Sequence, residues 1–213
     1  MNCCQCQGIE DLFSEKYTSW ELSRYRKKGP DKTTCMMIDA LKEEGIQGLS
    51  LLDIGGGVGA IEHELLNAGV QNAIDVDASQ AYIQAAREEA ERRGVADRVS
   101  FRHGNFVDLA AQIPPADIVT LDRVLCCYPD MQNLVSLSAA HARKLYCLVY
   151  PRDVWWVKIG AAVMNFIFQL RKSPFRVFPH PTQEVEALID RYGLRRCYYR
   201  KTAIWQVAVY SHG

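Results

Sequence analysis

The chain has 213 residues, a length that suits one domain with modest additions and a sizeable core and leaves no room for a second catalytic domain. Its 25 Lys+Arg balance its 25 Asp+Glu, so no global field draws it to nucleic acid or acidic lipid, and the strongly basic binding classes are excluded. Eight cysteines without a disulfide framework, and an N-terminus lacking the basic region and apolar run of a leader, point to a reducing, cytoplasmic setting.

Cys3, Cys4 and Cys6 lack the two-residue knuckle and second ligand pair of a zinc site, so no metal is expected there and the stretch reads as a mobile tail. Ile9, Leu12, Phe13, Tyr17, Trp20 and Tyr25 recur at near-helical spacing until Gly29-Pro30 breaks the run. Thr33 or Thr34 could cap a second helix through Leu41. The local basic runs, Arg24 with Arg26, Lys27 and Lys28, and Arg191 with Arg195, Arg196, Arg200 and Lys201, read as solvated faces beside acidic neighbours.

Leu51-Leu52-Asp53-Ile54-Gly55-Gly56-Gly57-Val58-Gly59 follows as an apolar strand, an acid and a glycine turn, with Ile61, Leu65 and Leu66 starting a helix. Glycines serve where the backbone turns with positive φ and a ligand must reach main-chain atoms. The spacing Gly55-x-Gly57-x-x-Ala60 also satisfies the dinucleotide fingerprint. Asp53 argues against that reading, because a pyrophosphate over the turn would meet a carboxylate. S-adenosylmethionine carries an ammonium, a sulfonium and no phosphate, and the same carboxylate attracts it.

A short strand near 73–76 leads to Asp77, about twenty residues past the glycine loop, where an acid can hold ribose hydroxyls; Asp75 is the alternative. Ser79 caps a long helix ending at Gly94, and Val99-Ser100-Phe101 is a third strand. Residues 116–121 and 145–150 read as the fourth and fifth strands around a helix over 131–142. Strands alternating with helices imply a parallel, doubly wound sheet whose ligand sits at the carboxyl ends of the strands. Residues 194–200 and 203–210 alternate like strands across a turn too short for a crossover, so they pair antiparallel.

These features resemble class I S-adenosylmethionine-dependent methyltransferases from Tyr25 onward. The matches are the Asp53 glycine loop, Val76-Asp77-Ala78-Ser79, Gly104-Asn105-Phe106, and the Asp117 strand leading to Asp122. The resemblance implies a Rossmann-like α/β fold: a doubly wound, mostly parallel seven-stranded sheet ending in an antiparallel hairpin. The expected domain is a single methyltransferase domain over 1–213, with a helical cap over 1–45 and a helical insertion over 152–180. The resemblance also implies that Asp53, Gly55, Gly56, Gly57, Asp77, Ala78, Asn105, Phe106 and Asp122 bind S-adenosylmethionine. Where the family usually has Gly-Asp-Phe this chain has Asn105, which can still accept from an adenine amino group through its carbonyl oxygen. A narrower similarity, to magnesium-protoporphyrin O-methyltransferases, rests on Arg26-Lys27-Lys28-Gly29 with Thr33, Leu125 to Pro129, the proline after strand five, and His180 with Glu184-Val185-Glu186. Pro30 and Cys126-Cys127-Tyr128-Pro129 depart from that group.

Methyl transfer needs an aligned nucleophile more than a base. The catalytic candidates are Tyr25, Cys127, Tyr128 and His180, with Arg152 able to pin an acidic group or to pair with Asp153. Residues 154–170 hold no acid and only Lys158 for charge, with Trp155, Ile159, Ala162, Val163, Phe166 and Leu170 on one face. The segment is too short for a membrane span and reads as a lid, a core helix, or an interfacial helix making peripheral membrane contact. The expected partner is a small apolar or aromatic acceptor, O-methylated, and not nucleic acid. Leu121-Asp122-Arg123-Val124 is not the Pro-Pro-aromatic motif of base methylation. A non-catalytic nucleoside-binding module on the same fold is the alternative.

Overall fold

A computed structural model of the protein describes residues 4–213, with side chains from residue 7 onward. The strands are β1 (Ser50–Ile54), β2 (Asn72–Asp77), β3 (Val99–His103), β4 (Ala116–Asp122), β5 (Ala142–Pro151), β6 (Leu194–Lys201) and β7 (Trp205–His212). The helices are α1 (Cys4–Leu12), α2 (Glu15–Lys28), α3 (Lys32–Glu43), α4 (Ala60–Asn67), α5 (Gln80–Arg93), α6 (Phe106–Leu109), α7 (Met131–Ala140), α8 (Trp155–Leu170) and α9 (Thr182–Asp190). The strands form one seven-stranded sheet in the order β3-β2-β1-β4-β5-β7-β6. β1 to β5 run parallel, and β7 pairs antiparallel with both β5 and β6. This is the expected Rossmann-like methyltransferase architecture.

Alternation along each strand supplies two core layers. Leu52, Val119, Leu121, Leu148 and Ala208 pack beneath α6, α7 and α9 through Phe106, Leu134, Val135, Val185 and Ile189. Leu51, Ile118, Cys147, Val149, Val207 and Val209 pack on the other face against Met37, Ile38 and Leu41 of α3 and Ile61, Leu65 and Leu66 of α4. The strand order reverses direction between β1 and β4, opening the crevice in which such sheets hold ligands.

Several expectations need correction. The helical run over 9–25 is two helices, parted where Ser14 turns extended at ψ 164°. α1 already begins at Cys4, so the stretch read as a mobile tail is helical from there; Cys3 and the side chains of Cys4 and Cys6 lie outside the described residues. Asp31 occupies the N-cap position of α3, and Thr33 and Thr34 are buried inside its first turn. α3 packs Met37, Ile38 and Leu41 on the sheet while its N-terminal end, with Asp31 and Thr34, reaches the crevice. The helix α9 went unread, although Val185, Leu188 and Ile189 carry helical spacing. Among the described residues, no helix is long and apolar enough to cross a membrane.

The insertion after β5 differs in its orientation. α8 turns Val157 and Ala161 inward, and its Asn165 forms two hydrogen bonds with the backbone of Val177. Its Nδ2 donates to the carbonyl and its Oδ1 accepts from the amide, both at 2.8 Å. The face read as core, lid or interfacial, with Trp155, Phe166 and Leu170, is exposed, which excludes the core reading for those side chains. The helix is apolar nearly all round, so periodicity alone does not choose its buried side.

Candidate active site

A cavity of about 430 Å³ opens at the carboxyl ends of β1 to β4, within the usual range of small-molecule sites, about 300–1,000 Å³. Its floor is the turn after β1. Gly55 holds φ at +73°, and a Cβ there would collide with Val124; a Cβ on Gly56 would fall on the Asp75 carboxylate. Gly55 donates its N–H to the Val76 carbonyl at 2.7 Å, and Gly57 donates to Asp77 Oδ2 at 3.1 Å. Asp77 Oδ1 accepts from the Ser79 N–H at 2.8 Å. The turn and the end of β2 are thereby locked to each other.

Carboxyl groups crowd beneath this floor. Asp53 is fully buried, one oxygen accepting from the Thr120 hydroxyl at 2.7 Å and the other lacking a hydrogen-bond partner among the described residues. Burial pushes its pKa up to about 7, against the pull of the Thr120 hydrogen bond. Burial likewise raises Asp77 to about 6, against the backbone N–H groups of Ser79 and Gly57. Among the described residues, no hydrogen-bond partner meets either oxygen of Glu62 or Asp75, the His63 ring standing 3.6 Å from Glu62, and burial followed by neighbouring carboxylates raises both. A buried acid without partners stays protonated or awaits a cation. The loop from Asp53 to Gly59 itself contains no Lys or Arg, so the orphaned oxygens and glycine cradle fit a ligand that carries positive charge and approaches the backbone closely.

The opposite walls are aromatic and apolar. Phe13, Tyr17, Tyr25, Tyr82, Tyr128 and Met164 contribute to them. A charged network closes the side between α2, α3 and β4. Arg24 and Arg123 both donate to Asp31, the latter at 2.8 Å, and Arg123 also pairs with Asp122 at 3.1 Å. The Arg24 hydrogen bond, reinforced by Arg123, holds the Asp31 pKa down to about 2. Thr34 donates to Asp122. Arg123 adopts φ +61°, a left-handed conformation rare for a bulky residue and concentrated at functional sites.

Of the expected donor-binding residues, Gly55, Gly56, Gly57, Asp77, Ala78, Asn105, Phe106 and Asp122 line the cavity, and Asp53 lies just below it. Between the two candidates on β2, Asp77 is the one at the cavity; Asp75 sits under Gly56. Asn105 caps α6, its Oδ1 accepting from the Val107 N–H at 3.3 Å, and its Nδ2 donates to the Tyr128 hydroxyl at 3.1 Å.

Of the expected catalytic residues, Tyr25, Cys127 and Tyr128 line the cavity. The Tyr25 hydroxyl donates to Glu64 at 3.1 Å, and burial raises its pKa. Cys127 has its thiol raised by a hydrogen bond with Cys126 and by burial, so it stays protonated. His180 stands outside the cavity. Its Nε2 meets the Leu125 and Tyr128 carbonyls at 3.1 and 2.9 Å, and two carbonyl partners require that nitrogen to be the donor. Arg152 is also outside, held by the Thr202 and Ala203 carbonyls at 3.1 and 3.3 Å, and Asp153 pairs with Lys158 instead. Sequence reasoning missed Tyr82, Asp31 and Arg123; Arg123 adjoined the expected Asp122, the one signal available.

Sheet order, glycine floor and acid-lined crevice define the class of fold as the Rossmann-like methyltransferase one. A family model described as an O-methyltransferase domain matches residues 4–141, well over half of the chain, and the protein belongs to that family.

Among curated relatives, a ribosomal protein L11 methyltransferase of Edwardsiella ictaluri is 30% identical over 117 residues, covering 52% of this chain and 40% of that protein. One from Erwinia tasmaniensis is 33% identical over 93 residues, 43% of this chain and 32% of its own. The chain thus spans only about a third to two fifths of these relatives. Among solved structures, the magnesium protoporphyrin IX methyltransferase of Synechocystis PCC 6803 with bound SAH superposes with a TM-score of 0.72 at 18% identity, over 98% of this chain and 100% of that one. An O-methyltransferase family protein from Burkholderia thailandensis gives 0.69 at 15% identity, over 97% and 62%. At these identities the likeness concerns the fold.

Proposed function

We propose that the protein transfers a methyl group from S-adenosylmethionine to an oxygen of a small apolar or aromatic acceptor. The observation carrying this reading is the division of the cavity into a carboxylate-and-glycine side and an aromatic side. The donor binds with its ribose on Asp77, its adenine beside Ala78, Asn105 and Phe106, and its cationic methionyl end near Asp53 and Asp122. When bound, it supplies a methyl carbon already activated by the sulfonium.

The chain's own residues then position the acceptor and exclude water, because in-line displacement gains mainly from alignment. Tyr17, Tyr25, Tyr82 and Met164 wall in an apolar acceptor. Tyr128, steadied by Asn105, presents its hydroxyl to the acceptor's polar edge. The Cys127 thiol is protonated and serves as wall, not as base. A carboxylate acceptor needs no base at all, and a phenol enters most readily as its anion.

The names of the curated relatives favour a second reading, methylation of a protein. Incubation of the purified chain with cell extract and a donor labelled on its methyl carbon separates the two. Label in a small, base-sensitive or phenolic ether product is the expected outcome. Label confined to protein would refute the small-molecule reading, and absence of transfer to any acceptor would leave the fold a nucleoside-binding module. Retention of label by oligonucleotides would contradict the exclusion of nucleic acid.

A further inference from the structure

Helix α8 leaves most of its apolar surface uncovered. Trp155, Phe166 and Leu170 are 69%, 60% and 68% exposed, with Trp156, Ile159 and Val163 exposed beside them. Sixteen residues make a helix about 24 Å long, and contiguous apolar exposure on that scale marks an interaction surface and not the scattered hydrophobics of an ordinary exterior. The surface continues past one end. Trp156 Nε1 donates to the Ala203 carbonyl at 3.4 Å, next to Ile204, which is itself exposed. Met164, on the same helix, lines the cavity.

Charge says what this surface meets. From Val154 to Gln183 the sequence contains Lys158, Arg171, Lys172 and Arg176 and no Asp or Glu. Lys158 pairs with Asp153 at the margin of the segment, and Arg176 turns onto the Ser173 and Phe175 carbonyls. Arg171 and Lys172 stand exposed where the helix ends. Two tryptophans at one end of an apolar face and two cations at the other form the pattern of a helix lying in a lipid interface, where indole rings settle at headgroup depth and basic side chains reach phosphate.

We infer that α8 docks the protein on a membrane surface bearing anionic headgroups, with its apolar face in the acyl boundary and Arg171 and Lys172 on the phosphates. A second copy of the chain is a poorer occupant. In a two-fold contact through α8 the carboxylate at its margin, Asp153, is already paired with Lys158, which leaves both copies' Arg171 and Lys172 without an offsetting charge. A span is excluded by length, since about 20 apolar residues are required. The inference concerns this surface alone and stands or falls apart from the methyl-transfer reading.

Flotation of the full chain with phosphatidylcholine vesicles, with and without phosphatidylserine, tests it. The expected result is binding to the mixed vesicles, a blue shift of tryptophan emission, and release by added salt. Phe166→Glu with Leu170→Glu should weaken binding at least ~tenfold, and Lys172→Ala roughly fivefold. Circular dichroism and melting temperature should stay at wild-type values, because all three side chains are exposed. Failure of the wild type to bind mixed vesicles overturns the inference. So does equal binding to pure phosphatidylcholine, or a wild-type dimer in light scattering that Phe166→Glu dissociates.

Discussion

Asn105 couples the two sides of the cavity through one amide, its oxygen holding the first turn of α6 and its nitrogen the Tyr128 hydroxyl. His180 supports, from behind, the 125–128 segment that carries Tyr128. Burial lowers its pKa, which keeps the ring neutral with Nε2 as donor to the Leu125 and Tyr128 carbonyls. His180→Ala would orphan both carbonyls, at a cost of about 1–2 kcal/mol in stability. It should also slow turnover through a looser Tyr128 while donor affinity is unchanged. Thermal melting and steady-state kinetics check this, with His180→Gln restoring part of the loss; a matching fall in donor affinity would contradict it. The sequence marked His180 as worth naming but could not reveal its job, because its partners lie 55 and 52 residues away. Asp77 was legible because strand end, glycine loop and acid are local to each other. Arg123 was not, since its partner Asp31 sits at the N-cap of α3, 92 residues distant.

At the scale of elements, alternation and turn chemistry placed all seven strands, including the antiparallel hairpin, because those signals are contained within each segment. Helix faces were harder to read. In α8, Asn165 is a polar residue in a segment otherwise nearly all apolar, and it is the anchor that ties 173–181 to the helix. That strap in turn reaches the site: the Phe178 N–H donates to the Cys126 carbonyl at 2.8 Å, and Phe175 packs edge-on to Phe168 and Phe13 at 5.3 and 6.2 Å. Asn165→Ala should therefore free the strap at a cost of about 1–2 kcal/mol and raise amide exchange at Val177 and Phe178 while β1 to β5 stay protected. Unchanged protection at Val177 would show that the strap is held by its aromatic contacts alone. α9 escaped reading because its apolar positions fall in a short segment between a proline and a strand.

Across the whole molecule, the sheet converges its strand ends on one acid-lined crevice, and that charge is the most general statement about its ligand. A carboxyl whose pKa in the fold lies above its unfolded value of about 3.9 holds a proton that the unfolded chain has already released. Its contribution to stability is therefore present at acid pH and lost as pH climbs toward the folded pKa, which is about 7 for Asp53 and about 6 for Asp77. A cationic ligand reverses the balance. It favours the ionised carboxylates, must displace their protons below those values, and so binds more tightly as pH rises through 6 and 7. A pyrophosphate would meet growing repulsion over the same range.

Calorimetric titration of S-adenosylmethionine and of nicotinamide adenine dinucleotide into the wild-type chain at pH 5.5 and pH 8, repeated with Asp77→Ala, puts this to the test. The account predicts that the sulfonium compound binds, with proton release and roughly tenfold or more gain in affinity at the higher pH, and that Asp77→Ala weakens it about ten- to a hundredfold. Binding of the dinucleotide in its place, or an affinity indifferent to both pH and Asp77, would contradict it.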